Sequence, residues 1–296
     1  MTLLGIIAFL ITFSGTSFGE EDSTFTGWKK TLVFDINATQ TAYSKSWAGG
    51  EAGSFSWVSN LNGSAEKQLS PVFNFRSTLK LSFGQTMTQD PDTKDWSRPE
   101  KSTDLIDWEN VGRFTLKKAV DPYVAFRVET QFLDASVDAK KRYLNPLKLT
   151  ESAGVAREFY KKDNDLVLSR IGFGLRQIIN NEIVNDSTLE TKRSTSTDGG
   201  IESVTDVKLT LHERLSYTGK LSLYKALFKS DDDELAGTEE EDYWKSVDVN
   251  WENIITASIT KIIAVSFYTQ FLYDKEIDKK GRIKETLGIG LTFTMF

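Results

Sequence analysis

The chain has 296 residues, a formal net charge of −6, no cysteine, a single histidine and a mean hydropathy of −0.33. The lack of cysteine excludes disulfides, thiolate metal sites and an acylated lipoprotein cysteine, and an acidic chain without a basic run does not read as a nucleic-acid binder. After residue 20 no segment has the roughly 20 apolar residues of a membrane helix, a test that says nothing about membrane barrels.

The first predicted element is an address. An apolar h-region at 3–13 is followed by Ser14-Gly15-Thr16-Ser17-Phe18-Gly19 and then by Glu20-Glu21-Asp22. Ser17 and Gly19 have the small-x-small spacing of a signal-peptidase site, so cleavage after Gly19 is expected. No Lys or Arg precedes the h-region. An N-terminal membrane anchor is the competing reading, and the segment is short for a span. The expected organisation is a signal peptide at 1–19, a lead-in at 20–27 and one domain at 28–296.

From residue 28 onward the signal is period-two alternation. Leu32, Phe34, Ile36 and Ala38 oppose Asp35, Asn37 and Thr39; Phe55, Trp57 and Leu61 oppose Ser54, Ser56, Asn60 and Asn62. Phe73, Phe75, Leu79, Leu81 and Phe83 oppose Asn74, Arg76, Thr78, Lys80 and Ser82. Trp108, Gly112, Phe114 and Leu116 oppose Asp107, Glu109, Arg113 and Thr115, and Val124, Phe126, Val128 and Phe132 oppose Arg127, Glu129 and Gln131. Ile171, Phe173 and Leu175 oppose Arg170, Gly172, Gly174 and Arg176; Val207, Leu209 and Leu211 oppose Lys208, Thr210, His212 and Arg214. Leu221, Leu223 and Leu227 mark a strand of undetermined facing. Val247, Val249, Trp251 and Ile255 oppose Asp248, Asn250 and Glu252, and Ile263, Val265, Phe267 and Phe271 oppose Ser266, Tyr268 and Gln270. Leu287, Ile289, Leu291, Phe293 and Met295 form the stripe of a last strand.

That makes about eleven strands by pattern. Short links at 119–122, 218–220 and 260–261 alternate with long polar ones near 86–103, 135–165, 229–243 and 275–283. A turn at Asn180-Asn181, an extra strand near 182–189 and an outer loop at 191–200 restore the alternation. The expected fold is therefore all-β: one antiparallel transmembrane barrel of about twelve strands, with about ten or fourteen as the open alternatives. Its last strand closes against the strand beginning near Trp28, which removes both sheet edges. A periplasmic β-sandwich also alternates. Long strands and a polar face with many charges of both signs favour the membrane barrel.

The segment Ser44-Lys45-Ser46-Trp47-Ala48-Gly49-Gly50-Glu51-Ala52-Gly53-Ser54-Phe55-Ser56 resembles the S-x-W-A-G-G signature of an uncharacterised outer-membrane barrel family of diderm bacteria. Leu79–Gly84, Lys101-Ser102-Thr103-Asp104, Val128–Phe132, Tyr273-Asp274 and Leu287–Leu291 are similar to further features of that family, in order. The resemblance implies a barrel in the cell outer membrane, reached by export, with outer-membrane lipid, periplasmic chaperones and the barrel-assembly machinery as partners. It implies no activity. Trp47, Ala48, Gly49 and Gly50 read as a structural link between the first two strands, since glycine reaches φ > 0 without a Cβ clash. Phe296 is the expected assembly signal, one residue out of phase with Leu291, Phe293 and Met295.

Candidate chemistry lies mainly on the polar face. Arg76, Lys80, Arg113, Arg127, Arg170, Arg176, Lys208, His212 and Arg214 are candidate lumen residues, with Asp35, Asp107, Glu109, Glu129, Asp248 and Glu252 among them. Unpaired, they line a pore that favours anions; paired, they form a rigid plug. The leading expectation is a narrow channel or carrier for small anionic solutes. The alternative is a non-conducting structural or interaction barrel acting through its acidic outer loops, where 231–234 and 239–242 are all Asp or Glu. The third reading, a lipid acyl hydrolase or transferase, rests on His212, whose strand neighbour Ser216 is roughly 13 Å away along the chain. No cofactor, metal or catalytic set is expected, and the oligomeric state is open.

Overall fold

The computed structural model describes residues 27–44, 50–116, 118–137, 139–162, 164–185 and 187–294. The expected signal peptide, most of the lead-in, Trp47, Ala48, Gly49 and Phe296 lie outside the described residues. The strands are β1 (Lys29–Thr41), β2 (Ser54–Ser70), β3 (Phe73–Thr88), β4 (Glu100–Phe114), β5 (Asp121–Thr130), β6 (Leu133–Asp134) and β7 (Arg142–Tyr143). They continue as β8 (Leu147–Lys162), β9 (Asp165–Asn185), β10 (Glu190–His212), β11 (Leu215–Lys229), β12 (Val247–Ser258), β13 (Ile263–Tyr273) and β14 (Arg282–Thr294). Twelve of them form a closed antiparallel barrel, and β6 and β7 make a small separate ribbon. Each barrel strand pairs with its predecessor and successor, and β14 closes on β1 with Val33 opposite Thr294 and Asn37 opposite Gly290. Closure leaves no edge to aggregate.

The strand number is the expected one, but its members differ. Asn180 and Asn181 are no turn: they sit within β9, where Asn181 pairs with Arg193 of β10. The β9–β10 hairpin turns through 187–189, where Asn185 Oδ1 accepts from the Ser187 and Thr188 N–H groups and Leu189 has φ 54°. Residues 191–200, expected as a loop, belong to β10. The twelfth strand is β8, inside the segment read as the loop 135–165. Its outward positions carry Glu151, Ala153 and Arg157 and its buried ones Thr150, Ser152 and Ala156, so its apolar alternation is diluted on both faces. Residues 218–220 likewise lie within β11, and the β10–β11 turn is at Glu213 and Arg214.

The alternation has the expected sense. Trp108, Val124, Phe126, Ile171, Phe173, Trp251, Leu287 and Ile289 are exposed on the outer wall, while Asp107, Arg113, Arg170, Arg176, Asp198 and Lys220 are buried within. In β11, Lys220, Tyr224 and Ala226 are buried, which puts Leu221, Leu223 and Leu227 on the outer wall. An apolar exterior around a charged bore is the inverse of a soluble barrel. No helix among the described residues is long and apolar enough to cross a membrane.

The links sort to two rims. Those at 71–72, 115–120, 163–164, 213–214 and 259–262 are short and share the lower rim. Those at 42–53, 89–99, 131–146, 186–189, 230–246 and 274–281 share the upper rim, and most are longer.

One ladder position has no room for a side chain. Gly154 and Gly172 face each other across β8 and β9, and a Cβ on Gly154 would lie 2.2 Å from the Ile171 carbonyl oxygen and 2.4 Å from the Gly172 Cα. Backbone cannot yield as a side-chain end can. Gly154→Val is expected to cost about 3 kcal/mol or more by overpacking, read as a lower urea midpoint for loss of the heat-modifiable barrel band on gels. An unchanged midpoint would contradict this close approach.

Candidate functional site: the charged interior

Inward positions on successive strands place carboxylates and cations at matching heights, and the narrow bore brings them together. Arg127 of β5 forms a two-pronged pair with Asp107 of β4, Nε to Oδ1 at 2.8 Å and Nη2 to Oδ2 at 2.9 Å. Its Nη2 also lies 3.1 Å from Glu129, which Lys148 of β8 approaches at 3.7 Å. Glu109 receives Arg170 of β9 at 2.7 Å on one oxygen and Lys220 of β11 at 3.1 Å on the other. Arg176 donates to Asp198 at 2.8 Å and to Asp248 at 2.7 Å, and its guanidinium lies 3.6 Å over the Tyr224 ring. The Tyr224 hydroxyl completes this group by donating to Asp198. Near the lower rim Arg113 meets Glu158 at 3.4 Å and Asp121 at 3.7 Å.

Two of these pairs run across the bore rather than along its wall. Lys80 of β3 meets Glu252 of β12 at 3.1 Å, and by the shorter way round β2, β1, β14 and β13 stand between them. Lys220 of β11 and Glu109 of β4 are likewise separated by β5, β8, β9 and β10. Bridges between walls this far apart in a ring of twelve obstruct the bore.

At the upper mouth the 230–246 link packs against the inner face of β11. After the short helix α1 (Asp232–Leu235), a 3₁₀ turn at Tyr243–Lys245 drops the buried Trp244 onto Tyr224 and Ala226. Three of its acids are held by neighbours: Asp231 accepts from Ser196, Glu239 pairs with Lys279, and Asp242 with Lys245. The Lys279 and Lys275 ammoniums lie 5.4 and 4.5 Å over the Tyr243 ring. No group of acids or histidine among the described residues has metal-site geometry.

The rest of the upper rim is tied by the motif residues. Lys101 donates to the Gln131 side chain at 2.6 Å and the Leu133 carbonyl at 2.5 Å, and lies 3.3 Å from Asp104. Asp104 in turn accepts the N–H groups of Phe132 and Leu133 at 2.7 and 2.9 Å. Two motifs about thirty residues apart in the chain are thus one clasp. Buried Gln89 accepts the Tyr43 and Gly53 N–H groups and donates to the Lys94 carbonyl, linking 42–53 to 89–99. Gly50, in the same link, has φ +76°, in the left-handed region that glycine reaches without a Cβ clash. Burial opposes the charged form of Asp134, but the Asn145 amide, the Ser136 N–H and the Arg142 guanidinium outweigh it and hold the carboxyl below its ordinary range.

Of the nine expected lumen residues, Lys80, Arg113, Arg127, Arg170 and Arg176 are engaged in these pairs. Arg76 and Lys208 face inward without one. His212 and Arg214 are misplaced by the alternation: a register shift between Thr210 and His212 ends β10, so both stand exposed at the lower rim. His212 makes no hydrogen bond among the described residues. Sequence reasoning missed Lys148, Asp198 and Lys220 because it put all three in links. The even-numbered run Asp198, Glu202, Asp206, Lys208 was the signal that β10 extends upward.

Glu109 is the shared acceptor on which two buried cations depend. Glu109→Gln leaves Arg170 and Lys220 short of a counter-charge, and is expected to destabilise by about 3–5 kcal/mol. His212→Ala is expected to stay within about 0.5 kcal/mol. Urea unfolding in detergent compares the two, and equal effects would contradict the assignment of Glu109.

Residues 38–135 match a family described as a protein of unknown function, DUF3078, a stretch that includes the Trp47 segment and the Lys101–Gln131 clasp. No curated protein matches the chain. An outer-membrane channel from Pseudomonas putida is similar at 11% identity and TM-score 0.40, covering 93% of this chain and 98% of its own. The translocator domain of the autotransporter NalP from Neisseria meningitidis is similar at 9% identity and TM-score 0.39, covering 93% and 90%. The NanC porin is similar at 10% identity and TM-score 0.38, covering 89% and 98%.

Proposed function

We propose that the protein is an outer-membrane barrel whose bore is closed at rest, and that it acts through its rims as a structural or interaction barrel. The observation that carries this reading is the pair of transverse bridges, Lys80–Glu252 and Lys220–Glu109. A pore selective for anions requires free cations along its length. Here the carboxylates take up most of them, and Trp244 packs on Tyr224 and Ala226 above. The apolar exterior supports lipid as the surrounding solvent, because aromatic and aliphatic side chains on every strand face cost least there. The rims are where polar groups meet water, and the upper one is held in shape by the Lys101–Asp104–Gln131 clasp.

Membranes washed with carbonate or urea are expected to retain the protein, and its release would sink the membrane reading. In planar bilayers the purified barrel is expected to be silent, and Lys80→Ala combined with Lys220→Ala to produce discrete conductance steps. Steady conductance by the unaltered protein would instead restore the channel.

A further inference from the structure

Several polar side chains on the outer wall satisfy one another in place. The Trp108 indole donates to Ser77 at 3.0 Å, the Tyr217 hydroxyl donates to Asn253 at 2.7 Å, and Ser169 and Thr205 share a hydrogen bond of 2.8 Å. Asn110 of β4 and Glu151 of β8 differ. Neither makes a side-chain hydrogen bond or ion pair among the described residues. The strands that surround them, β4, β5, β8 and β9, are described along their whole length.

Both stand where the outer wall is otherwise apolar. Asn110 follows Trp108 and precedes Gly112 on the outward side of β4, and exposed Glu151 lies between Leu149 and Ala153 on that of β8. In the ladder they flank one residue of β5: Phe126 is opposite Asn110 on one side and opposite Glu151 on the other. Leu175 is the next partner of Glu151, and Gln177 above it makes no hydrogen bond to the carboxyl. Two strand spacings of about 10 Å, with the Phe126 ring between, separate donor from acceptor within one barrel. A carboxyl facing hydrocarbon without a partner is costly.

The same face is hollow. One row lower, Phe75, Gly112, Val124, Ala153 and Phe173 follow one another across the ladder, large at both ends and small within. With Asn110 and Glu151 they line a cavity of about 610 Å³ in the outer wall. Small residues on a lipid-facing surface let a second surface approach closely.

We propose that this hollow is a two-fold interface with a second copy of the chain. An axis along the membrane normal through Phe126 brings Asn110 of one copy to the side of Glu151 of the other, and the reverse. The amide then donates to the carboxyl twice per dimer, and the two Phe126 rings meet on the axis. Strand tilt offsets each pair by about 6 Å in height, which the two side chains span together. An acyl chain fills the hollow but brings no donor for Glu151; a second copy does both. The interface rests on the reading of lipid as the surrounding solvent. Carbonate washing tests that reading separately, so a protein that is retained but does not pair fails only here.

The chain has no cysteine, so a single introduced thiol reports one position. Phe126→Cys lies on the axis beside its own mate, and Val124→Cys, on the same strand, keeps the Phe126 rings in place. Phe267→Cys on β13, diametrically across the ring, is the equally outward control. With the whole barrel in phosphatidylcholine vesicles and a mild oxidant, at least one of the two β5 positions is expected to give disulfide-linked dimers at about ten times the control yield. In that background Asn110→Leu and Glu151→Leu are each expected to lower the yield about tenfold, since each removes two hydrogen bonds within the membrane. The exchange of Asn110→Glu with Glu151→Asn is expected to restore it, because the two-fold axis interchanges the positions. Heat modifiability confirms that each variant folds. Cross-linking at both β5 positions no greater than at Phe267→Cys would overturn the interface, and failure of the exchanged variant to recover would overturn the Asn110–Glu151 pairing.

Discussion

A charge drawn into a narrow protein bore loses most of its water, and the loss is tolerable only when an opposite charge and further hydrogen bonds replace it. That constraint organises this molecule. Strand alternation sends Arg, Lys, Asp and Glu inward because the outer wall is apolar, and the bore is too narrow to leave them all hydrated. Arg127 solves the problem with a forked pair to Asp107, Arg176 with two carboxylates and a tyrosine face, and Arg170 and Lys220 by sharing Glu109. A soluble barrel of the same strand number would bury the aliphatic stripes instead and expose these ions.

Pairing also couples the interior to closure of the ring. Lys80 and Glu252 come from strands far apart in the chain, and their bridge exists only when β14 has met β1. Before closure each is an isolated ion on an open sheet, solvated by water. The transverse bridges therefore contribute to the closed state and not to the separate hairpins, which biases the sheet toward a ring over an open, aggregating edge. The clasp does the same locally: Lys101 and Asp104 on one strand hold the first residues of the next long link.

The barrel was legible because its outer face obeys a strict period. Trp108, Phe126, Phe173 and Trp251 are large and apolar at alternating places, and no other arrangement satisfies them so well. What hid β8 is physical. Its inward residues lie against other side chains of a crowded wall, so Thr150, Ser152, Gly154 and Ala156 are small, and outward Glu151 and Arg157 break the stripe. The Asn180-Asn181 pair reads as a turn by composition, but ladder bonds to β10 override that preference. Of the inward cations, Lys80, Arg113, Arg127, Arg170 and Arg176 were legible, while Lys148 and Lys220 fell in segments that read as links. Their partners were not, because pairing across a ring depends on register and shear, which no single strand encodes. His212 shows the limit of alternation, which loses its phase wherever a bulge inserts a residue.

The two ends of the bore satisfy the same constraint in opposite ways. Above, the links are long enough to fold back, so Trp244 covers Tyr224 and Ala226, and the loop acids find Lys275, Lys279 and Ser196. Below, links as short as 71–72 and 213–214 cannot fold back over the bore, and they meet the walls through single side chains such as Asn164, which accepts from Lys29. Among the described residues Arg76 and Lys208 have no ion pair at that end, although Glu66 stands opposite Arg76 in the ladder. A barrel that fills its upper half with its own side chains and leaves cations beside an apolar wall in its lower half is asymmetric by construction.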